Sequence, residues 1–218
     1  MNRKHRIRYD RHLIARAGYP FILIALVIAI IAGAISLLLA LPFIVLFFLV
    51  INFFRNPERQ IPQGSQLLVA PADGRVIAIE DVMDTRYLNR RSRRVSIFMS
   101  PLNVHVNRIP CDGTVTRVVY TPGKKLAAFS EKASLENEQN AVEIEASNGD
   151  AIVFVQIAGF IAQRIICDAH KGDSFSRGER YGLIRFGSRM DVYLPLHYTV
   201  EVALNDRTQA GATVLARF

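Results

Sequence analysis

An apolar run without a single charged residue extends from Ala17 to Phe54. About 20 apolar helical residues cross a bilayer core, so this run is nearly two such lengths and one straight span would leave a large mismatch. A helical hairpin accounts for the length. Its first arm would run from about Pro20 to Ile31, its turn would lie over the small residues 32–36, and its second arm would end near Phe53. A deep re-entrant hairpin and two closely packed short spans are both compatible with this pattern.

Basic residues flank the apolar run on both sides, in the first 16 residues and again at Arg55 and Arg59. The positive-inside rule therefore predicts that both ends lie on the cytoplasmic side of the cell membrane. The chain carries 27 Lys and Arg against 19 Asp and Glu, a net charge of +8. No nucleic-acid-binding motif accompanies the basic clusters, so an anionic membrane surface is the predicted partner and nucleic acid is not.

The organisation that follows is a basic cytoplasmic tail over residues 1–16, a membrane hairpin over 17–54 and a β-domain over 55–218. In the β-domain, short apolar runs alternate with turn sequences such as Asp73-Gly74, which predicts a mainly β fold, a sandwich or a partly closed barrel. Segment 125–140 is predicted as a loop. The repeated Pro-x-Asp-Gly-x-Val pattern resembles the paired hammerheads of lipoyl-carrier domains, although the attachment lysine of such carriers is absent.

Ordinary catalytic motifs are absent from the sequence. There is no phosphate-binding loop, no dinucleotide fingerprint and no metal-ligand spacing, so no metal is predicted. Ser188 does not lie in the GxSxG turn of α/β-hydrolases. Cys111 and Cys167 stand singly, which is typical of buried thiols in a reducing compartment.

The Gly187-Ser188 step offers a different chemistry. A serine hydroxyl can attack the carbonyl of the preceding residue, and glycine there gives the least steric cover and tolerates strained backbone. The resulting ester can eliminate to dehydroalanine, which hydrolyses to a pyruvoyl group. That ketone is an electron sink of the kind usually supplied by pyridoxal phosphate. The alternative for this stretch alone is a β-bulge with a surface serine.

Several segments together resemble the short bacterial phosphatidylserine decarboxylase proenzymes. These segments occur in the family's order: FFRNPER, VAPADGRV, SPLNVHVNRIP, NEQNAVEIE, QIAGFIAQRI and RFGSRMDVYLP. The resemblance implies self-cleavage between Gly187 and Ser188 into a β chain, 1–187, and an α chain, 188–218, that stay associated. It also implies that the pyruvoyl group derived from Ser188 forms a Schiff base with the amine of phosphatidylserine, which is decarboxylated to phosphatidylethanolamine.

The resemblance also assigns roles to two further residues and shows one departure from the family pattern. Asp73 matches the family aspartate tied to self-cleavage, and His105 matches a histidine linked to decarboxylation. The longer family branch has a second histidine three positions later, where this chain has Arg108. Arginine cannot serve as a base, so Arg108 is a candidate for binding a substrate oxyanion.

The alternative function is a non-catalytic, membrane-tethered adaptor with a carrier-like β-domain.

Overall fold

A computed structural model describes residues 10–123, 136–159, 164–185 and 188–218. A short 3-10 turn at Arg16–Gly18 precedes two α-helices, α1 and α2. These are α1 Tyr19–Ile35 and α2 Leu37–Phe53. The strands are β1 Leu67–Val69, β2 Gly74–Asp84, β3 Arg90–Met99, β4 Val106–Arg108, β5 Gly113–Thr121, β6 Gln139–Ala146, β7 Ala151–Ala158, β8 Ile165–Cys167, β9 Ser174–Phe175, β10 Arg180–Ile184, β11 Ser188–Leu194, β12 Thr199–Val200, β13 Arg207–Thr208 and β14 Val214–Arg217.

The two helices form an antiparallel hairpin with a one-residue break. Ser36 has extended backbone, with φ of −163° and ψ of 136°, between the end of α1 and the start of α2. The break is shorter than the predicted turn over residues 32–36, because the alanines and the glycine before Ser36 continue the first helix. Small residues allow the arms to approach closely: a Cβ on Gly33 would lie 3.7 Å from the Cβ of Ala40.

Each arm of the hairpin has 17 residues. At 1.5 Å per residue an arm is about 25 Å long, shorter than the roughly 30 Å of a bilayer core. Residues Arg16–Ile35 form a helix that is long and apolar enough to cross a membrane, and Leu37–Phe53 is a shorter apolar helix. Most of the large apolar side chains of both helices are exposed, which supports an association with lipid.

The remainder of the described chain is mainly β, as the sequence predicts. Eight strands form one sheet in the order β13-β2-β3-β11-β7-β6-β5-β9, and two three-stranded sheets have the orders β1-β14-β12 and β4-β10-β8. The large sheet is open and curled into a half-barrel. One face of this sheet carries the main apolar core, to which β11 contributes Met190, Val192 and Leu194. Most of the predicted loop 125–140 lies outside the described residues, and its last two residues are not loop, since they begin β6.

Strand β11 occupies the middle of the large sheet, between β3 and β7. Ser188 begins it, opposite Met99 on β3 and Ala158 on β7. Alternate residues of a strand point to opposite faces, so Ser188 lies on the same face as Met190 and the main core. The fold therefore places this serine at one end of the sheet, inside the protein.

Candidate active site

Ser188 is completely buried, and its hydroxyl donates a hydrogen bond to the Met99 sulfur at 3.2 Å. A thioether is a weak acceptor and does not remove a proton at neutral pH. In this arrangement the hydroxyl is close to its own backbone but is not activated. Gly187, the other half of the predicted cleavage site, lies outside the described residues.

His105 lies just before β4 and is also fully buried. Its Nδ1 is 2.9 Å from the backbone carbonyl of Asn103, and its ring stacks on Phe53 with centroids 4.0 Å apart. Because a carbonyl can only accept, Nδ1 carries the hydrogen of the neutral ring and Nε2 has a free lone pair. Nε2 is buried and has no hydrogen-bond partner among the described residues. A buried polar atom of this kind calls for a functional explanation.

The surroundings of His105 favour its neutral form. The pKa of the imidazole is lowered from 6.5 to about 4, mainly because the ring is buried; the hydrogen bond to Asn103 opposes this shift and the positive charge of Arg55 adds to it. At neutral pH the ring is therefore a proton acceptor. A negatively charged substrate beside it would raise this pKa and favour the protonated form.

A buried amide network lies beside the serine. Asn107 donates to Met99 Sδ at 3.9 Å, so Ser188 and Asn107 contact the same sulfur atom. Gln156 donates to Asn107 Oδ1 at 2.9 Å, and Asn140 donates to Gln156 Oε1 at 3.3 Å. Because Asn107 is two residues beyond His105, the network connects the serine to the strand that begins after the histidine.

Asp73 is buried in the turn before β2. Its carboxylate accepts hydrogen bonds from Arg59 Nη2 at 2.7 Å and from the Ala210 backbone N–H at 2.8 Å. Burial raises its pKa, while the hydrogen bond from Ala210 and the positive charge of Arg59 oppose that rise. Asp73 therefore joins the turn before β2 to the turn around Ala210 and to Arg59 in the segment after the hairpin.

Asp73 and Ser188 lie at the same end of the large sheet but are not in contact. Arg75 on β2 pairs with Phe98 on β3, which in turn pairs with Arg189 on β11. Strand β3 therefore lies between the two residues, and two strand spacings correspond to about 10 Å.

Arg108 is held by the scaffold. Its Nη1 donates to the Gly178 carbonyl at 2.7 Å, and its Nη2 donates to the Pro57 carbonyl at 2.9 Å. Burial lowers the pKa of this guanidinium to about 10, and the positive charge of Arg180 contributes. Arg108 lies near Asp73, because its backbone N–H donates to the Pro71 carbonyl at 2.9 Å and the negative charge of Asp73 partly opposes the lowering of its pKa. Ser188 is instead close to Asn107, which contacts the same Met99 sulfur and is two residues beyond His105.

The helical hairpin reaches into the same region. Phe53, the last residue of α2, contacts His105 and is edge-on to Phe54 at 5.0 Å. Phe54 stacks on Phe21 of α1 at 5.5 Å, and the Arg185 guanidinium lies 5.1 Å from the Phe21 ring centre. These side chains therefore form a continuous row of contacts from His105, past the ends of both helices, to Arg185, which is three residues before Ser188. The candidate active site lies at the end of the β-domain from which the hairpin emerges.

Sequence reasoning missed the amide network and the role of Phe53. Gln156 stands in the otherwise apolar segment AIVFVQIA, and a polar residue within a buried strand could have drawn attention to it. Phe53 gave no such indication, because it was one apolar residue among many in the hairpin.

The chain has two cysteines. Cys111 and Cys167 are free thiols, and burial raises their pKa values to about 12 and about 11. Cys111 is buried as predicted, while Cys167 is half-buried. Within the described ranges, no group of three or more His, Cys, Asp or Glu side chains could hold a metal ion.

Comparison with known proteins adds independent information. The sequence model of the family described as Phosphatidylserine decarboxylase matches residues 46–216. A phosphatidylserine decarboxylase proenzyme of Aromatoleum aromaticum is 49% identical over 209 residues, which are 95% of this chain and 97% of the relative. Proenzymes of the same name from Burkholderia multivorans and Burkholderia ambifaria are 47% and 46% identical over 211 residues, which are 96% of this chain and 98% of each relative.

Proposed function

This chain belongs to the phosphatidylserine decarboxylase family and is a carboxy-lyase that forms phosphatidylethanolamine and carbon dioxide, and we propose that its catalytic group is a pyruvoyl group made from its own Ser188. The single observation that carries this proposal is the position of Ser188, a fully buried serine at the first residue of the central strand. The name proenzyme, shared by the relatives, indicates a processed precursor.

The proposed maturation begins with attack of Ser188 Oγ on the carbonyl carbon of Gly187. The peptide C–N bond breaks and an ester forms. Loss of the Ser188 α-proton and cleavage of its Cβ–O bond release the Gly187 carboxylate and leave dehydroalanine. Water then displaces the nitrogen as ammonia, so the α chain begins with an α-keto group in place of an amine.

The strand pairing is compatible with an α-keto group at residue 188. Strand β11 pairs with β3 and β7 on its two sides, β13 pairs with β2, and β14 pairs with β1. After cleavage at residue 188 these ladders would still hold the α chain in the sheet. The new terminus would keep the place of Ser188, between Met99 and Ala158.

The α-keto group supplies an electron sink for the pair of electrons released when the substrate carboxylate leaves as carbon dioxide. We assign to His105 Nε2 the proton that is delivered to the substrate α-carbon, because this nitrogen is buried and unpaired among the described residues, and His105 is two residues before Asn107 of the serine's network. With a pKa of about 4 the ring is neutral at neutral pH, and the negative charges of a bound substrate would raise this pKa and promote its protonation.

Asp73 and Arg108 are assigned supporting roles. We propose that Asp73 promotes self-cleavage by holding the turn before β2 through Arg59 and Ala210, since β3 separates it from Ser188. Arg108 remains a candidate for contact with a substrate oxyanion through its remaining N–H groups. Its bonds to Gly178 and Pro57 favour a scaffold role.

The location of the site supports a membrane-bound arrangement. We propose that the hairpin is inserted from the cytoplasmic side and that both of its ends, with the β-domain, stay on that side. Lipid substrate would then reach the site along the hairpin base, where Phe53 meets His105. The hammerhead, carrier-like form of the β-domain likewise remains a proposal, which rests on the repeated Pro-x-Asp-Gly turns.

The experiment compares Ser188→Ala with wild type and with Ser188→Cys. Denaturing electrophoresis follows release of the fragment 188–218, and turnover is measured per cleaved molecule. We expect no cleavage and no activity for the alanine variant, and slow cleavage for cysteine, which keeps a nucleophile. Normal processing of Ser188→Ala would refute the proposal.

A further inference from the structure

A cleft of about 430 Å³ opens at the base of the hairpin, between the start of α1 and strand β8. Its lining includes Arg16, Pro20, Arg164, Asp168 and Arg185. Among the described lining residues, three arginines thus stand against one aspartate, and the cleft has a positive net charge. Its volume is within the usual range for small-molecule sites.

Two of these arginines are close together and lack carboxylate partners among the described residues. The Arg185 guanidinium lies over Phe21, and its Nε is buried without a hydrogen-bond partner in the described part of the chain. Its backbone N–H donates to the Arg164 carbonyl at 3.1 Å, and the Arg164 side chain is exposed. Burial lowers the pKa of Arg185, and the positive charge of Arg164 adds to that effect. Two adjacent cations with a free donor form a site for an anion.

The position of the cleft indicates which anion. Pro20 and Phe21 belong to the first turn of α1, so the cleft lies where an inserted hairpin would meet the headgroup layer of the membrane. Arg185 precedes Ser188 by three residues, so their Cα atoms are at most about 11 Å apart. In phosphatidylserine, only a methylene and one oxygen separate the amine-bearing carbon from phosphorus. One headgroup can therefore extend from residue 188 to the Arg185 side chain.

We propose that Arg164 and Arg185 bind the phosphodiester of the phosphatidylserine substrate in this cleft. The inference rests on the proposed reaction at Ser188. With the phosphate in the cleft, the substrate amine is directed toward residue 188 and the acyl chains are directed along the apolar hairpin. The planar guanidinium groups suit a phosphodiester because they can donate two parallel hydrogen bonds to its oxygens.

The test uses full-length enzyme in detergent, with phosphatidylserine in mixed micelles. Arg185→Gln and Arg164→Gln each remove one charge from the cleft. Arg91→Gln is the matched control, because Arg91 is exposed and lies near the opposite end of β3 from Met99. Cleavage is measured first by electrophoresis, and kinetics are expressed per cleaved molecule.

We expect KM for phosphatidylserine to rise about 10- to 100-fold in each cleft variant, as for loss of a hydrogen bond to a charged group. kcat should change little, since the contact is made before and during the reaction. Arg185→Lys should restore part of the loss, and Arg91→Gln should behave as wild type. The exposed Arg164 side chain provides a variant with little risk to folding.

Two further measurements distinguish the substrate phosphate from general adhesion to anionic membranes. O-methyl-L-serine has the amine and carboxylate of the headgroup without the phosphate, and its decarboxylation rate should be the same in the cleft variants and wild type. Binding to phosphatidylglycerol vesicles should also be unchanged. If vesicle binding weakens as much as KM rises, the arginines hold the membrane surface and the inference is overturned.

The outcomes separate this inference from the proposed function. A cleaved and active wild type whose cleft variants keep the wild-type KM would overturn the phosphate site alone. A wild-type chain that is active without cleavage would overturn the proposed pyruvoyl group, whatever the arginine variants do.

Discussion

The contact between Phe53 and His105 gives a quantitative prediction. The Phe53 ring is stacked 4.0 Å from the imidazole and helps to exclude water from it. A pKa lowered from 6.5 to about 4 corresponds to a preference for the neutral ring of about 3 kcal/mol. Phe53→Ala admits water to one face of the ring, so we expect the pKa of His105 to rise to roughly 5 or above.

The assay is a titration of histidine ring protons by NMR in detergent. The chain has five histidines, and the His105 resonance is assigned by its loss in His105→Gln. Phe48→Ala is the matched control, because Phe48 is also on α2 and is 62% exposed. In the Phe48→Ala variant, His105 should keep the wild-type pKa. A wild-type His105 that titrates near 6.5, or a Phe53→Ala variant with an unchanged pKa, would refute the reasoning.

The same shift predicts a pH dependence of stability. Below pH 6.5 the unfolded chain binds a proton at His105, whereas the folded chain binds it only below about 4. The free energy of unfolding should therefore fall as the pH is lowered from 6.5 to 4, by about 3 kcal/mol from this residue. His105→Gln should lack this component, and an identical pH dependence in the variant would contradict the assignment.

Three other variants test the supporting residues. Asp73→Asn weakens the buried pair with Arg59 and should slow self-cleavage more than turnover per cleaved molecule, as a time course by electrophoresis would show; equal cleavage rates would exclude a role in maturation. Arg108→Ala removes two donors from backbone carbonyls, so Tm should fall by several degrees; a raised KM with unchanged Tm would instead show that Arg108 binds substrate. Gln156→Leu leaves Asn107 Oδ1 without its donor and should cost about 1–3 kcal/mol of unfolding free energy, measured by thermal unfolding; an unaltered Tm would show that the network is not stabilising.

The sequence was most informative where one local pattern determines the outcome. The uncharged run 17–54 predicted two helical arms, and the structure has them, but the first arm continues to Ile35 because Ser36 alone breaks the helix. Their insertion in a membrane stays a prediction. The alternation of apolar residues and turns predicted a mainly β domain. The resemblance to the family predicted the enzyme class, which its members confirm.

The contacts around the site depend on long-range packing, so local patterns could not predict them. The stacking of Phe53 on His105 joins residues from different parts of the chain, and a periodicity argument does not show which apolar side chain will cover a histidine. Arg189 and Asp191 give a second example. Their alternation along β11 is typical of an exposed face, yet they form a buried pair at 2.6 Å.

The central claim is that residue 188 becomes a pyruvoyl group, and intact mass spectrometry of the purified, active protein tests it most directly. The account predicts a fragment 188–218 whose mass is lower, by one ammonia, than that of the same peptide with an N-terminal serine, and no such fragment from Ser188→Ala. An active preparation that contains only the uncut chain, or only a fragment with an unmodified serine, would contradict the account.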